Sequence, residues 1–287
     1  MKGIILAGGS GSRLAPLTTS TSKQLLPIFD KPMIYYPLSV LMQAGIRDVL
    51  IITTAEDADR FKALLGDGRA FGVRLNYVVQ AEPRGLAEAF ILGEEFVGSD
   101  PVTLILGDNL FHGDGLSTML AEALRNVSGG TIFSYHVDQA ERYGVVSLDD
   151  QGRPVSIEEK PEEPKSNLAV TGLYVYGNDV ISIAKQVKPS ARGELEITDV
   201  NRAYLEQGRL NVCQLGRNIA WLDTGTPEAL LEASEYVRSL QHRQGLQIAC
   251  LEEIGYQNGW LSVEDVNAAA ERMASSVYGR YLQKVLN

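Results

Sequence analysis

The chain has 287 residues, 45% hydrophobic, 22% charged and 7% aromatic, which suits one large or two small domains and is too apolar for a disordered or collagen-like polypeptide. Its 26 basic and 36 acidic side chains leave a net charge of −10. That balance disfavours nonspecific binding to nucleic acid or an anionic membrane, so an anionic ligand would need a local basic pocket.

No apolar run approaches the roughly 20 residues of a membrane span, and the N-terminus lacks the layout of a cleaved signal peptide. A cytoplasmic protein is expected. Apolar β-rich runs recur at Gly3–Ala7, Asp48–Thr53, Val73–Gln80, Val102–Leu106 and Thr131–Val137. Between them Ile34, Leu38 and Leu41 keep one helical face, and Ala58–Leu65 and Leu86–Phe96 also read as helices. Strands this apolar, alternating with helices, predict an α/β domain with a mainly parallel, buried sheet. Ligands of such sheets sit beyond the carboxyl ends of the strands, which directs attention to the loops after Ala7, Gln80 and Leu106.

After about residue 140 the texture turns to short strands and turns: Val145–Leu148, the turn Asp149–Gly152, Val155–Glu159 and Leu168–Tyr176. This half reads as α+β packed against the first sheet. From about 241 the pattern is helical, with Ser262 and Asp265 forming a capping box and Val266, Ala270, Met273 and Val277 expected on one face. The resulting division is a core of residues 1–240, in parts of about 1–140 and 141–240, and a helical extension over 241–287.

The first strand runs into Gly8-Gly9-Ser10-Gly11-Ser12-Arg13, a turn whose amides can approach an anion and whose arginine can grip phosphate bidentately. A dinucleotide fingerprint would need Gly or Ala at Leu14, and a P-loop would need Gly-Lys-Ser/Thr; neither is present. Lys23 offers a second cation on the same loop system. Asp108, in Leu106-Gly107-Asp108-Asn109, ends an apolar strand, where a carboxylate is a natural Mg²⁺ ligand but also an ordinary turn former. Asp223 follows another short apolar run and reads as a second ligand or a helix cap. Lys160 stands beside Glu159 in Glu158-Glu159-Lys160-Pro161. Cys213, Cys250, His112, His136 and His242 show no zinc or CxxC spacing, so neither a zinc site nor a disulfide is expected. The absence of a Ser/His/Asp or Cys/His pattern fits a reaction whose substrates bring their own nucleophile and leaving group.

Ten segments occur in one order along nearly the whole chain: Gly8–Leu14, Ser22–Pro27, Lys31–Leu38, Gln80–Phe90, Leu106–Asn109, Glu141–Val146, Glu158–Pro161, Val170–Tyr174, Arg192–Asn201 and Trp221–Pro227. Through them the chain resembles the sugar nucleotidyltransferases, most closely those acting as glucose-1-phosphate thymidylyltransferases. The resemblance implies a Rossmann-like three-layer α/β/α fold with a helical C-terminal appendage, and transfer of a thymidylyl group from dTTP to glucose 1-phosphate. It implies that Gly8, Gly9, Gly11 and Arg13 cradle the triphosphate with Lys23 beside it. Gln24, Gln80 and Gly85 would hold the base. Tyr143, Gly144, Glu159, Lys160, Val170 and Arg192 would hold the sugar phosphate, and Asp108 and Asp223 the Mg²⁺. Ser12 replaces the commoner Thr, and Arg84 stands where an acidic residue is usual.

The same resemblance implies a homotetramer with a second nucleotide-sugar site at a subunit interface, matched by Gly113, Gly216, Arg217, Glu253 and Ile254, where an end product would inhibit. Tyr256, Trp260, Tyr278 and Tyr281 offer apolar surface for such a contact, or else seal the tail onto its own core. Three other readings stand beside this one. A nicotinamide-dependent oxidoreductase is disfavoured by Leu14. A noncatalytic nucleotide-sugar sensor is disfavoured because Arg13, Lys23, Asp108, Lys160 and Asp223 are all retained. A uridylyltransferase using UTP is the third.

Overall fold

Along Lys2–Ala7, Ile4 and Leu6 face one core while Ile5 and Ala7 face another, and Leu50 and Ile52 divide from Val49 and Ile51 in the same way. Strands apolar on both faces must lie between two covering layers. The computed structural model, which describes residues 1–9, 11–125 and 127–286, has that arrangement; Ser10 of the glycine-rich turn lies outside the described residues. Tyr35–Gln43 and Ala58–Leu65 cover one face through Leu38, Leu41, Phe61 and Leu65. Glu88–Leu92 and Ile197–Glu206 cover the other through Phe90, Val200 and Tyr204.

The parallel part of the sheet runs Arg74–Val79, Asp48–Thr53, Lys2–Ala7, Val102–Leu106. Leu168–Tyr176 then adds antiparallel to Val102–Leu106, Gly130–His136 pairs antiparallel with it, and Leu210–Gln214 closes that edge in parallel. Three expected strands keep their predicted ends, and the others shift by one residue. The hairpin Gly144–Leu148 with Pro154–Glu159 joins through Ala169 and Val145, its turn held by Asp149 Oδ1 accepting from the amides of Gln151 and Arg153 at 2.9 Å each.

Two helical expectations change. The segment expected as one helix over Leu86–Phe96 is Glu88–Leu92 and Glu94–Val97 with Gly93 between them. A Cβ at Gly93 would come 3.0 Å from Ile4 Cδ1 and 2.9 Å from the Ala89 carbonyl, so the glycine lets the helix lie close on the sheet. Val277 does not share the face of Val266, Ala270 and Met273, because Ser276 caps a new helix, Val277–Val285, and leaves Val277 65% exposed.

The Ser262–Asp265 capping box is present, with both reciprocal bonds near 3 Å (2.9 and 3.2 Å). The helix Pro227–Gln244 starts at the Thr226 cap and runs unbroken through residue 240. After it, Leu251–Gln257, Val263–Arg272 and Val277–Val285 dock on the first half: Trp260 sits over Gly72, Asn258 Nδ2 donates to the Met42 carbonyl at 2.9 Å, and Leu251 and Ile254 join Phe71 in the core. Tyr278 and Tyr281 are buried and donate to Glu252 and Glu253. Tyr256 and Trp260 are half-buried against the same interior, so these aromatics hold the tail to its own core rather than forming an open apolar surface. No helix among the described residues is long and apolar enough to cross a membrane.

Candidate active site

The strand Val102–Leu106 delivers Asp108 to the carboxyl edge of the sheet, and the ribbon Asn109–Gly113 with Ile219–Asp223 sets Asp223 opposite Asn109. Two acidic side chains more than 100 positions apart thereby meet. Burial raises the Asp108 carboxyl, but attraction and a hydrogen bond from Lys23 outweigh it and hold the group below the ordinary carboxylate range. Asp223 is pushed the other way, first by burial and then by the Asp108 charge, with Lys23, Arg13 and Arg142 only partly offsetting this. Its carboxylate carries no hydrogen bond or ion pair among the described residues. Two such carboxylates, one of them without a partner, suit a hard divalent cation whose remaining ligands are phosphate and water. No group of three or more potential ligating side chains gathers among the described residues, so the pair does not amount to a closed protein cage.

A cavity of about 310 Å³ opens from this pair and is lined on one side by Arg13 and on the other by Tyr143, Gly144, Glu159, Lys160, Val170 and Arg192. Arg13 lies against Gly225, where a Cβ would come within 2.6 Å of its guanidinium. Glu159 organises the far wall. Its Oε2 accepts from Thr198 Oγ1 at 2.5 Å, and its Oε1 lies 3.3 Å from Arg192 and 3.6 Å from Lys160 Nζ. Lys160 takes a left-handed φ of 42° and donates its amide to the Tyr143 carbonyl at 3.0 Å.

The remaining expected nucleotide-side residues do not line this cavity, and of them Gln24 and Gln80 stand against Gly8 of the glycine-rich turn. Gln24 Nε2 points at the Gly8 carbonyl at 3.5 Å, and Gln80 Oε1 crowds Gly8 from the other side. Gly9 lines an adjoining cavity of about 370 Å³ with Thr18–Ser22, Thr54 and Asp57, and the Gly11 carbonyl accepts from Thr18 Oγ1 at 2.9 Å. Gly85, at φ 101°, presses on Leu195; the Arg84 carbonyl accepts from the Leu195 amide at 2.7 Å, which laces this loop to the second half. The Arg84 side chain turns outward to Glu82 at 3.0 Å.

Several cavity residues were not singled out from sequence: Asn109, Arg142, Glu196, Thr198 and Trp221. Asn109 Oδ1 accepts from Trp221 Nε1 at 2.6 Å and from the Gly172 amide at 3.1 Å, while its Nδ2 donates to Asp108 at 3.2 Å. All five stand within the ten ordered segments, and that adjacency was the available signal. Of the expected effector residues, Gly113 pairs with Ile219 and Gly216 and Arg217 line a separate cavity, whereas Glu253 and Ile254 lie in the tail, with Ile254 buried.

Residues 2–239 match the nucleotidyl transferase family. The chain belongs to that family. Among curated nucleotidyl transferases it is similar to the glucose-1-phosphate thymidylyltransferase of Neisseria meningitidis serogroup A, with 59% identity over 100% of this chain and 99% of the relative. Among solved structures, a Bacillus anthracis protein described as a glucose-1-phosphate thymidylyltransferase, crystallised with sucrose, is 45% identical with a TM-score of 0.78, covering 83% of this chain and 95% of that one. A UDP-glucose pyrophosphorylase bound to UDP-glucose is 27% identical with a TM-score of 0.74, covering 83% and 98%. Membership of this family sets aside the nicotinamide-dependent oxidoreductase.

Proposed function

We propose that this chain transfers a thymidylyl group from dTTP to α-D-glucose 1-phosphate, giving dTDP-glucose and pyrophosphate. The observation that carries the reading is the full-length similarity to a relative named for that reaction. The cavity supports it chemically, because cations and acidic side chains converge between two places suited to two anions. Attack by a sugar-phosphate oxygen on the α-phosphorus needs no protein nucleophile; it needs neutralised charge and alignment, and holding reactants at near-attack distance can lower a barrier by about 7–11 kcal/mol. Gly8, Gly9, Gly11, Arg13 and Lys23 hold the triphosphate, and Arg13 faces the charge that develops on the leaving pyrophosphate. Gln24, Gln80 and Gly85 hold the base. Lys160 and Arg192 hold the sugar phosphate, Glu159 accepts from sugar hydroxyls, and Tyr143, Gly144 and Val170 shape the floor. Asp108 and Asp223 hold Mg²⁺, which supplies Lewis-acid stabilisation and a template for the phosphates when bound.

The reading extends to a cytoplasmic homotetramer inhibited by a nucleotide-sugar effector at the residues around Arg217. Pyrophosphate release measured across a matrix of nucleoside triphosphates and sugar 1-phosphates tests the reaction. The expected maximum is dTTP with glucose 1-phosphate. A maximum with UTP would reassign the enzyme as a uridylyltransferase, and no release with any pair would leave a nucleotide-sugar sensor.

A further inference from the structure

Gln80 follows the strand Arg74–Val79 at the carboxyl edge of the sheet and is nearly buried. The two ends of its amide stand in different surroundings. Nε2 donates to Glu88 Oε2 at 2.7 Å. Oε1 lies against the glycine-rich turn, so near that a Cβ on Gly8 would come within 2.8 Å of it, and it accepts no hydrogen bond among the described residues. A carboxylate only accepts, so Glu88 admits one orientation of the amide; the flipped one would set Gln80 Oε1 against Glu88 Oε2. A glutamine without such a neighbour leaves that orientation open. Gln24 Nε2 faces the Gly8 carbonyl at 3.5 Å, another group that only accepts.

We infer that Glu88 is a positioning residue for nucleotide selection: by holding Gln80 Nε2 it presents Gln80 Oε1 as an acceptor for the N3–H of thymine or uracil and sets it against cytosine. Thymine and uracil offer a donor at N3 flanked by carbonyl oxygens. The second hydrogen of Gln80 Nε2 remains available for one of those oxygens. Cytosine offers an acceptor at N3, so acceptor would meet acceptor, and a buried polar group left unmatched is how a hydrogen-bonding site rejects the wrong ligand. This inference rests on the proposal that Gln80 holds the base.

The test is calorimetric titration of the full chain with dTTP and with dCTP in the presence of Mg²⁺, for the parent, Glu88→Met and Glu88→Gln. Met has a similar size but no acceptor oxygen, whereas Gln keeps one. Glu88→Met is expected to bind dTTP about ten-fold more weakly and to lose about ten-fold of the preference for dTTP over dCTP, the scale of one charge-assisted hydrogen bond. Its kcat at saturating substrates should stay within about two-fold, because Glu88 touches no reacting atom, and Glu88→Gln should stay close to the parent. Unchanged dTTP affinity and preference in Glu88→Met would overturn the inference, as would a fall in kcat alone. If Glu88→Met fails to fold, Glu88→Ser, too short to reach Gln80, is judged by the same two readouts. A parent that binds dTTP but releases no pyrophosphate would refute the proposed reaction while the binding comparison still judges Glu88. A parent that binds neither triphosphate would refute the inference with it.

Discussion

Thr224 Oγ1 donates to the main-chain carbonyl of Asp108 at 2.7 Å, and the Thr224 amide reaches the same oxygen at 3.1 Å. The pair ties the turn after Asp223 to the turn that carries Asp108, so one fully buried side chain sets how far apart the two acidic groups stand. Thr224→Val keeps the shape and removes the hydroxyl. It should cost about 1 kcal/mol of stability in urea unfolding, the usual net value of a hydrogen bond, and lower kcat, while Thr224→Ser recovers both. Parental stability and turnover in Thr224→Val would show that the amide bond alone fixes this geometry.

The two acidic residues should respond differently to loss of charge. Asp108→Asn leaves Lys23 without its ionic partner and removes a proposed metal ligand; kcat at saturating Mg²⁺ should fall by the equivalent of about 2.7–4 kcal/mol, the scale of one preorganised electrostatic group. Asp223→Asn should also lose turnover, yet melt higher than the parent without metal, because it removes a charge disfavoured first by burial and then by the neighbouring Asp108. Thermal unfolding in chelator checks the second half of this expectation. Near-normal turnover in Asp108→Asn would remove Asp108 from the metal site.

Lys160 is half-exposed on the far wall, 3.6 Å from Glu159 Oε1 and away from the glycine-rich turn. Lys160→Ala should raise the KM for glucose 1-phosphate by about ten-fold or more, in keeping with about 1.5–3 kcal/mol for a charge-assisted contact, and leave the KM for dTTP nearly unchanged. Initial rates with each substrate varied in turn decide this. A rise confined to dTTP would assign Lys160 to the nucleotide.

The features that were readable from sequence have local causes. Asp48–Thr53 and Val102–Leu106 carry unbroken apolar runs, and Ser262 sits three residues before Asp265, so the run length and the spacing are themselves the signals. Asp108 could be picked out as a carboxylate just past a buried strand, a place that suits a metal ligand and an ordinary turn former alike. Asn109 and Trp221 were not singled out, since their bond joins positions 112 apart and neither residue type announces a partner. The break at Gly93 escaped for a related reason: what the glycine accommodates is Ile4, a residue of a different element. The buried tail aromatics were ambiguous because burial against the same chain and burial against a second copy leave the same sequence pattern.

Glu252 lies beneath the tail, its Oε2 accepting from Tyr278 Oη at 2.5 Å. Burial holds its carboxyl above the ordinary glutamate value of 4.5, with the Tyr278 bond and the charges of Arg272 and Lys31 offsetting only part of that. Because the folded pKa is the higher one, the stability linked to this proton is complete below 4.5 and is lost as pH rises through the folded value. Glu252→Gln cannot ionise and escapes the loss. Urea unfolding over a pH series should show the variant gaining on the parent as pH rises above 4.5, with the gap levelling off once the parent's carboxyl has ionised. A gap independent of pH across that window would mean that burial leaves this carboxyl unperturbed.

Arg217 is exposed, has no carboxylate partner among the described residues, and shares a cavity of about 340 Å³ with Tyr135, His136, Leu215 and Gly216. Tyr135 also packs edge-on against Trp221 at 5.8 Å, and Trp221 packs against Tyr143 at 5.1 Å, so one chain of rings runs from this cavity to the proposed sugar site. A guanidinium free of carboxylates is suited to a diphosphate. If a nucleotide sugar such as dTDP-rhamnose binds there, Arg217→Ala should weaken its inhibition by about ten-fold or more, the scale of a lost charge-assisted bond, while turnover without inhibitor stays near the parent's. Linkage requires the converse as well: saturating dTTP should change the parent's affinity for the effector by the same factor as the effector changes that for dTTP. Glu253 and Ile254 line no part of this cavity; if a second copy of the chain completes the effector site, inhibition should weaken on dilution to monomer. Equal inhibition of parent and variant, competitive with dTTP in both, would dismiss the second site and leave the tail a purely structural cover for the first half.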